Sequence, residues 1–304
     1  MSGLDLVVLG TASQAPTRTR NHNGYLFRWD HEGILVDPGE GTQRQFTFAG
    51  VSTRRITRIL LTHLHGDHCL GLPGVLQRLA LDGAGAGVPV AFPASGLPYV
   101  ERLTNASIGR RTPVRLDPID EAGAVVADTP LRITARPLEH RIPTLGWRIE
   151  EPERVHLLPD QLAAMGIGGP DAGRLLAEGS IRVGDRIVTV DEVGERRPGR
   201  SAAVVMDTAV CDAAVTLAAG VDVLLAEATF LESESHLARD YGHLTARQAA
   251  TIARESGVGL LVLSHFSSRY PDAAGHLLEA AEVFRDVVVA DDLAIIPFPS
   301  RHPA

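Results

Sequence analysis

The sequence predicts an α/β fold carrying one inserted excursion, and three observations support this. Apolar strand-like runs recur along the 304-residue chain, first as short hairpin-rich strands and later alternating with helical stretches. Several of these runs end abruptly in His, Asp or Glu. Residues 158–200 are rich in Gly and Pro and have no sustained apolar period, so they read as an insertion rather than core.

The elements follow in order. DLVVLG (5–10), GYLFRW (24–29) and GILVD (33–37) read as strands of a hairpin-rich sheet. RITRILLTH (55–63) is an apolar strand that stops at polar residues, and CLGLPGVLQRLAL (69–81) reads as one helix with Gly and Pro in its first turns. PVAFPA (89–94) and LRITARPLE (131–139) are further strands. After the excursion, SAAVVMD (201–207), VDVLLAE (221–227) and GLLVLSH (259–265) return as buried strands. HLTARQAATIARES (243–256) between the last two has helical apolar spacing and ends at Gly257, a C′ stop. The chain is long enough for one large domain or two modest ones, and the expectation is a single domain, 1–304, with the insertion at about 158–200.

Bulk properties narrow the function. Hydrophobic residues make up 44% and charged residues 22%, ordinary for a globular chain. No apolar run approaches the roughly 20 residues of a membrane span. Met1–Leu9 lacks a basic n-region, so no signal peptide is expected. The 2 cysteines, Cys69 and Cys211, do not make a disulfide framework; a reducing cytoplasm fits, and Cys69 reads as core. A net charge of −8 argues against a protein that coats nucleic acid electrostatically, while leaving room for an enzyme that acts on RNA at one site.

His63, Asp207, Glu227 and His265 each directly follow an apolar strand, and His140 follows LRITARPLE. Ligands of α/β sheets collect beyond the carboxyl ends of strands, so five such side chains suggest one shared site. The densest chemistry is HLHGDH (63–68), with three imidazoles and a carboxylate suited to zinc or manganese. On a strand-to-helix turn, His63 and His65 point one way and Asp67 and His68 another, an arrangement able to serve two metals. Any one of these histidines alone would read as a solvated loop residue; four ligands in six positions do not. The remaining ligands are expected from His140, Asp207 and His265. His22, His31, His156, His236, His276 and His302 lack this context and read as surface residues.

HLHGDH is the signature of the metallo-β-lactamase superfamily, which implies an αββα sandwich with a dinuclear metal site. Further segments resemble the tRNase Z (ribonuclease Z) family: PTRTRN (16–21), DPGEGTQRQ (37–45), HRIPTLGWRIE (140–150), AEATF (226–230), GHLTARQAA (242–250, with Leu244 where the family has Ser) and LSHFSSRY (263–270). The resemblance implies a cytoplasmic, homodimeric endoribonuclease that trims the 3′ trailer of precursor tRNA. It implies two zinc ions per subunit, with manganese or another divalent ion as the alternative. His63, His65 and His140 would hold one ion, Asp67, His68 and His265 the other, with Asp207 bridging. Asp67 would activate the attacking water, and His243, supported by Glu227, would protonate the leaving oxygen. Arg18, Arg20 and Asn21 would meet the RNA end, and the excursion, with Gly169 and Pro170 at its tip, would clamp the tRNA. Gly39 and Gly41 suggest tight turns near the site, with Asp37 as an orienting acceptor. A small-molecule hydrolase or phosphodiesterase of the same fold is the competing expectation; it would keep the metal residues without needing the excursion. A non-catalytic RNA-binding scaffold would not need the full ligand set.

Overall fold

The computed structural model describes residues 4–83, 87–108, 113–120, 125–126 and 130–300. It divides into two compact units. The second comprises Glu150–Ser201 with residues 130–132, and the other described residues form the first.

The first unit contains two seven-stranded sheets. One runs in the order Ile295–Pro297, Leu4–Gly10, Gly24–Trp29, Glu32–Val36, Arg58–Leu60, Val88–Pro93, Val114–Ile119. The other runs Val287–Val289, Leu260–Ser264, Val223–Glu227, Ser201–Val205, Thr144–Glu150, Arg132–Leu138, Val125–Val126. Strand alternation shows that both faces of each sheet are covered. In Leu4–Gly10, Val7 and Leu9 pack with helix residues such as Leu72 and Leu76, while Leu6 and Val8, on the opposite face, are equally buried. In Ser201–Val205, Ala203 and Val205 pack with Leu217 and Ala249, and Ala202 and Val204 are buried on the other side. The faces turned away from the helices enclose the centre of the sandwich, where the Tyr25 hydroxyl of one sheet lies 2.8 Å from Ser264 Oγ of the other. The expected αββα architecture follows.

Parallel pairing aligns the ends that matter. Glu32–Val36 pairs in parallel with Arg58–Leu60, so Asp37 and the His63 segment leave from one edge. Ser201–Val205, Val223–Glu227 and Leu260–Ser264 are mutually parallel, which brings Asp207, Glu227 and His265 to one edge.

Three elements differ from the sequence expectation. Residues 69–81 are not one helix: Gly66–Cys69 forms a short turn, and a second helix, Leu72–Leu81, starts afresh with Pro73 in its first turn. Proline lacks the N–H that a continuous helix would need there. Cys69 therefore closes the first turn, and it is buried as expected. The strand within 55–63 is only Arg58–Leu60, because beyond it the Thr62 N–H turns to Asp37 Oδ1 at 2.7 Å. The helix within 243–256 begins at Ala246, with Thr245 and Gln248 forming a capping box. His243 and Leu244 thus precede the helix, in the loop that reaches the site; Gly257 ends it at φ 63°.

The second unit is not merely irregular. Helices Pro159–Ala164 and Gly169–Glu178, the hairpin Ser180–Val183/Arg186–Thr189 and the pair Arg154–Leu157/Gly194–Arg197 surround Ile167, Leu175, Ile181, Val188 and Val193. Because Arg154–Leu157 pairs with Gly194–Arg197, the unit begins at Glu150 rather than at 158. Its apolar residues come from short elements too brief to show a period.

Candidate metal centre

Four imidazoles are held from behind so that Nε2 faces inward. His68 Nδ1 lies 2.9 Å from Asp37 Oδ2, and His140 Nδ1 donates to the Gly242 carbonyl at 2.8 Å. His63 Nδ1 meets Thr62 Oγ1 at 3.0 Å, and that hydroxyl donates to Asp37 Oδ2 at 2.6 Å. His265 Nδ1 meets Thr229 Oγ1 at 2.7 Å, and that hydroxyl donates to Glu227 Oε2 at 2.5 Å. A carbonyl or carboxylate only accepts, and a hydroxyl has one proton to give. Each Nδ1 must therefore carry the proton, and each Nε2 turns a lone pair into the site.

Those lone pairs gather in two groups around Asp207. His63 Nε2 and His65 Nδ1 are 2.9 Å apart, and Asp207 Oδ2 lies 3.4 Å from His63 Nε2 and 3.8 Å from His140 Nε2. On the other side, Asp207 Oδ1 lies 3.3 Å from His68 Nε2 and 3.1 Å from His265 Nε2, and Asp67 Oδ2 is 3.5 Å from both nitrogens. His63, His65, His140 and Asp207 have ligand atoms close enough to share one ion, as do Asp67, His68 and His265. Two atoms argue that a cation belongs here: His140 Nε2 and Asp207 Oδ1 are buried without any hydrogen bond. Buried polar atoms rarely stay unsatisfied, and crowded nitrogen lone pairs repel unless positive charge lies between them. The donor set fits divalent cations.

The electrostatics agree. Burial, reinforced by the neighbouring His68, drives the His63 imidazole well below its ordinary pKa, and burial lowers His65 and His140, which favours neutral ligands. Burial opposes charge on His68 too, but Asp207, Asp67 and Asp37 outweigh it and hold that imidazole well above its usual range, so a cation bound there would displace a proton from its Nε2. Burial would raise Asp67 and Asp207, yet the surrounding imidazoles drive both carboxyls below the usual carboxylate range. The backbone is shaped for this work as well. Asp37, Asp207 and His265 have φ of 46°, 40° and 60°, left-handed conformations that non-glycine residues adopt at some cost and that cluster at functional sites.

Next to the cluster, His243 Nδ1 lies 3.0 and 3.1 Å from the two oxygens of Glu227, itself fully buried. Burial lowers the His243 pKa, but Glu227 and Asp207 more than offset this and raise it to about 9. His243, Asp67, Asp207 and His65 line one pocket of about 520 Å³.

Comparison with known proteins places this geometry. Residues 17–158 match the family described as the metallo-beta-lactamase superfamily. Ribonuclease Z of Nocardia farcinica is 55% identical over 99% of this chain and 100% of the relative. Ribonuclease Z of Chlamydia trachomatis serovar D is 44% identical over 99% of both chains. The chain belongs to the ribonuclease Z family. Human tRNase Z, short form, superposes with a TM-score of 0.70 at 25% identity, covering 97% of this chain and all of that one.

Within that ribonuclease Z frame, the structure brings together His63, His65, Asp67, His68, His140, Asp207, Glu227, His243 and His265. It places the RNA-end residues differently. Arg18 is exposed, but the Arg20 guanidinium is buried 4.8 Å over the Phe266 ring. Asn21 Nδ2 donates to the His22 and Glu40 carbonyls at 3.0 and 2.9 Å. Arg20 thus packs its loop against Phe266, and Asn21 ties it to Glu40. Gly169 and Pro170 are exposed at the start of helix Gly169–Glu178 in the second unit. Leu244 is fully buried in the apolar core and gives His243 no hydroxyl; Glu227 orients the ring, with Thr229 Oγ1 3.4 Å from its Nδ1.

Two histidines expected at the surface are buried. His22 Nε2 donates to the Gln14 carbonyl at 3.2 Å, and the Gln14 N–H donates to Asp67 Oδ2 at 2.7 Å, so His22 stands behind a ligand. His276 is fully buried between the rings of Phe266 and Tyr270. His31, His156 and His236 are exposed, and His302 lies outside the described residues. Sequence reasoning also missed Thr62, Thr229, Gln14 and the Gly242 carbonyl; Thr62 and Thr229 were signalled only by their adjacency to His63 and Glu227. Gly39 is confirmed as a close approach, since a Cβ there would meet the Asp67 carbonyl at 2.1 Å. Gly41 has φ of 86° and sits against Asn21.

Proposed function

We propose that this chain is an endoribonuclease that removes the 3′ trailer of precursor tRNA, leaving a 3′-hydroxyl on the tRNA and a 5′-phosphate on the trailer. The observation that carries this reading is the Asp207 carboxylate, whose two oxygens face two separate histidine groups, in a chain of the ribonuclease Z family. Two zinc ions, or manganese in their place, would be held, one by His63, His65 and His140, the other by Asp67, His68 and His265, with Asp207 shared. When bound, such ions make water a better nucleophile at neutral pH and offset the charge that develops on the phosphorus oxygens.

The chain's own residues divide the remaining work. Asp67 is anchored by the Gln14 N–H at 2.7 Å, which positions its carboxylate to orient the attacking water or accept its proton. His243 holds a proton near neutral pH, because Glu227 and Asp207 outweigh its burial. With Nδ1 on Glu227, its other nitrogen is available to protonate the ribose 3′ oxygen as the P–O bond breaks. The second unit would hold the tRNA, with Gly169 and Pro170 at its contact end. A homodimer and a cytoplasmic location belong to the same reading; the free buried thiols of Cys69 and Cys211 support the latter. Among the described residues no helix is long and apolar enough to cross a membrane.

The test is cleavage of a 3′-extended precursor tRNA with zinc or manganese, mapping the cut and its end chemistry, with Asp67→Ala as control. One cut after the last retained nucleotide, leaving a 3′-hydroxyl and lost in the variant, is expected. Hydrolysis of a chromogenic phosphodiester without any tRNA cut would overturn the substrate. Deleting 160–195 is expected to abolish tRNA cleavage and spare the small phosphodiester.

A further inference from the structure

One wall of the metal pocket is a column of two rings flanked by two guanidinium groups that the chemistry above does not use. Phe230, buried, lies at its base, with its ring 6.0 Å from that of His243. On one flank the Arg269 guanidinium sits 5.0 Å over the Phe230 ring and is fixed by Glu234 at 2.6 Å. On the other flank the Tyr241 ring runs nearly parallel to Phe230, at 6.5 Å and 20°. The Arg141 guanidinium then covers Tyr241 at 5.2 Å. All four line the same pocket as Asp67 and His243. Both ends reach solvent, but Arg269 is tied to Glu234, while Tyr241 is 43% exposed and Arg141 is exposed beside it.

An exposed large ring capped by a guanidinium is an unusual feature to leave facing water beside a phosphodiester site. Unpaired bases are bound by such surfaces: they stack on tyrosine or on a guanidinium plane, and every base has a face to offer. Position selects the nucleotide. His243, Tyr241 and Arg141 line one pocket, so a nucleotide whose 3′ oxygen reaches His243 has its base within reach of that wall. We propose that the outer face of the Arg141 guanidinium, backed by the Tyr241 ring, is a stacking platform for the base of the last retained nucleotide, taken by its face and therefore tolerant of its identity. This rests on the tRNA-processing reading and adds the subsite that seats the nucleotide before the cut.

The experiment measures single-turnover cleavage of a 3′-extended precursor tRNA and of a twin that is abasic at the last retained nucleotide. The wild-type protein is expected to cleave the base-bearing RNA about 5- to 150-fold faster, the range for stacking one base. That ratio collapses toward one in Arg141→Ala, shrinks in Tyr241→Ala, which loses the ring behind the guanidinium, and is kept in Tyr241→Phe, which retains it. A merely structural role for Tyr241 would slow both RNAs alike and leave the ratio intact, and that outcome overturns the platform. An equal rate on both RNAs in the wild-type protein overturns it as well. Cleavage of neither RNA by the wild-type protein is a different failure: it removes the tRNA-processing reading, and the platform with it.

Discussion

The metal centre and the inserted unit treat charge in opposite ways. Around Asp207, charged and titratable groups are buried: His63, His68 and Glu227 are fully enclosed, and His63 and His68 turn Nε2 toward the Asp207 carboxylate. In the insertion, Arg174, Arg186, Arg196 and Arg197 are exposed and lie against Asp171, Glu192, Asp191 and Glu195 of the same unit. Exposed pairs of that kind contribute little to stability, roughly 0 to 1 kcal/mol each. Buried, oppositely directed groups are costly to disturb. The comparison teaches that the catalytic unit stores its specificity in electrostatics, whereas the insertion holds itself together with a small apolar core.

The sharpest way to break this contrast is Asp207→Ala. It removes the carboxylate shared by both histidine groups, so cleavage is expected to fall to background and bound metal to drop, measured by metal analysis beside single-turnover rates. Retention of both metals would show that Asp207 is not shared.

His243→Ala comes next, with cleavage expected to fall about 10²- to 10⁴-fold while metal content is retained. His243 keeps its proton up to about pH 9. The protonated form is the active acid, so the rate should decline as pH rises through about 9, and that limb should vanish in the variant. A decline that persists in His243→Ala would assign it to another group.

Thr229→Val tests the support behind His265. The hydroxyl links the His265 ring to Glu227, and its loss is expected to weaken metal affinity about 10- to 100-fold, read by competition with a chelator. An unchanged affinity would mean that the ring is held by packing alone.

The smallest effects probe the insertion. Leu175→Ala is expected to destabilise that unit by about 2–5 kcal/mol, seen as faster hydrogen exchange confined to it. Arg186→Ala, which breaks its contact with Glu192, should cost less than about 1 kcal/mol. If the arginine change proved the larger, the contrast between the two units would be reversed.

Much of the centre was legible in the sequence because its chemistry is local. HLHGDH places ligands within six residues, and His63, Asp207, Glu227 and His265 each end an apolar run, which is how parallel strands deliver side chains to one edge. The Gly-rich texture of 158–200 marked the insertion, although not its edges or its core. The tertiary structure alone decided the rest. His140 is oriented by a carbonyl 102 residues away, and His68 by a carboxylate 31 residues away. Arg20 turned from a free cation into a buried layer on Phe266, and His22 and His276 left the expected surface for the interior. Tyr241 and Arg141 became one platform only because the last residue of helix Ser235–Tyr241 meets the residue after His140. The physical reason is the same in each case. Residue type and strand period are set by neighbours in the chain. Which proton, which lone pair and which ring face a group presents is set by partners that only packing brings within hydrogen-bonding distance.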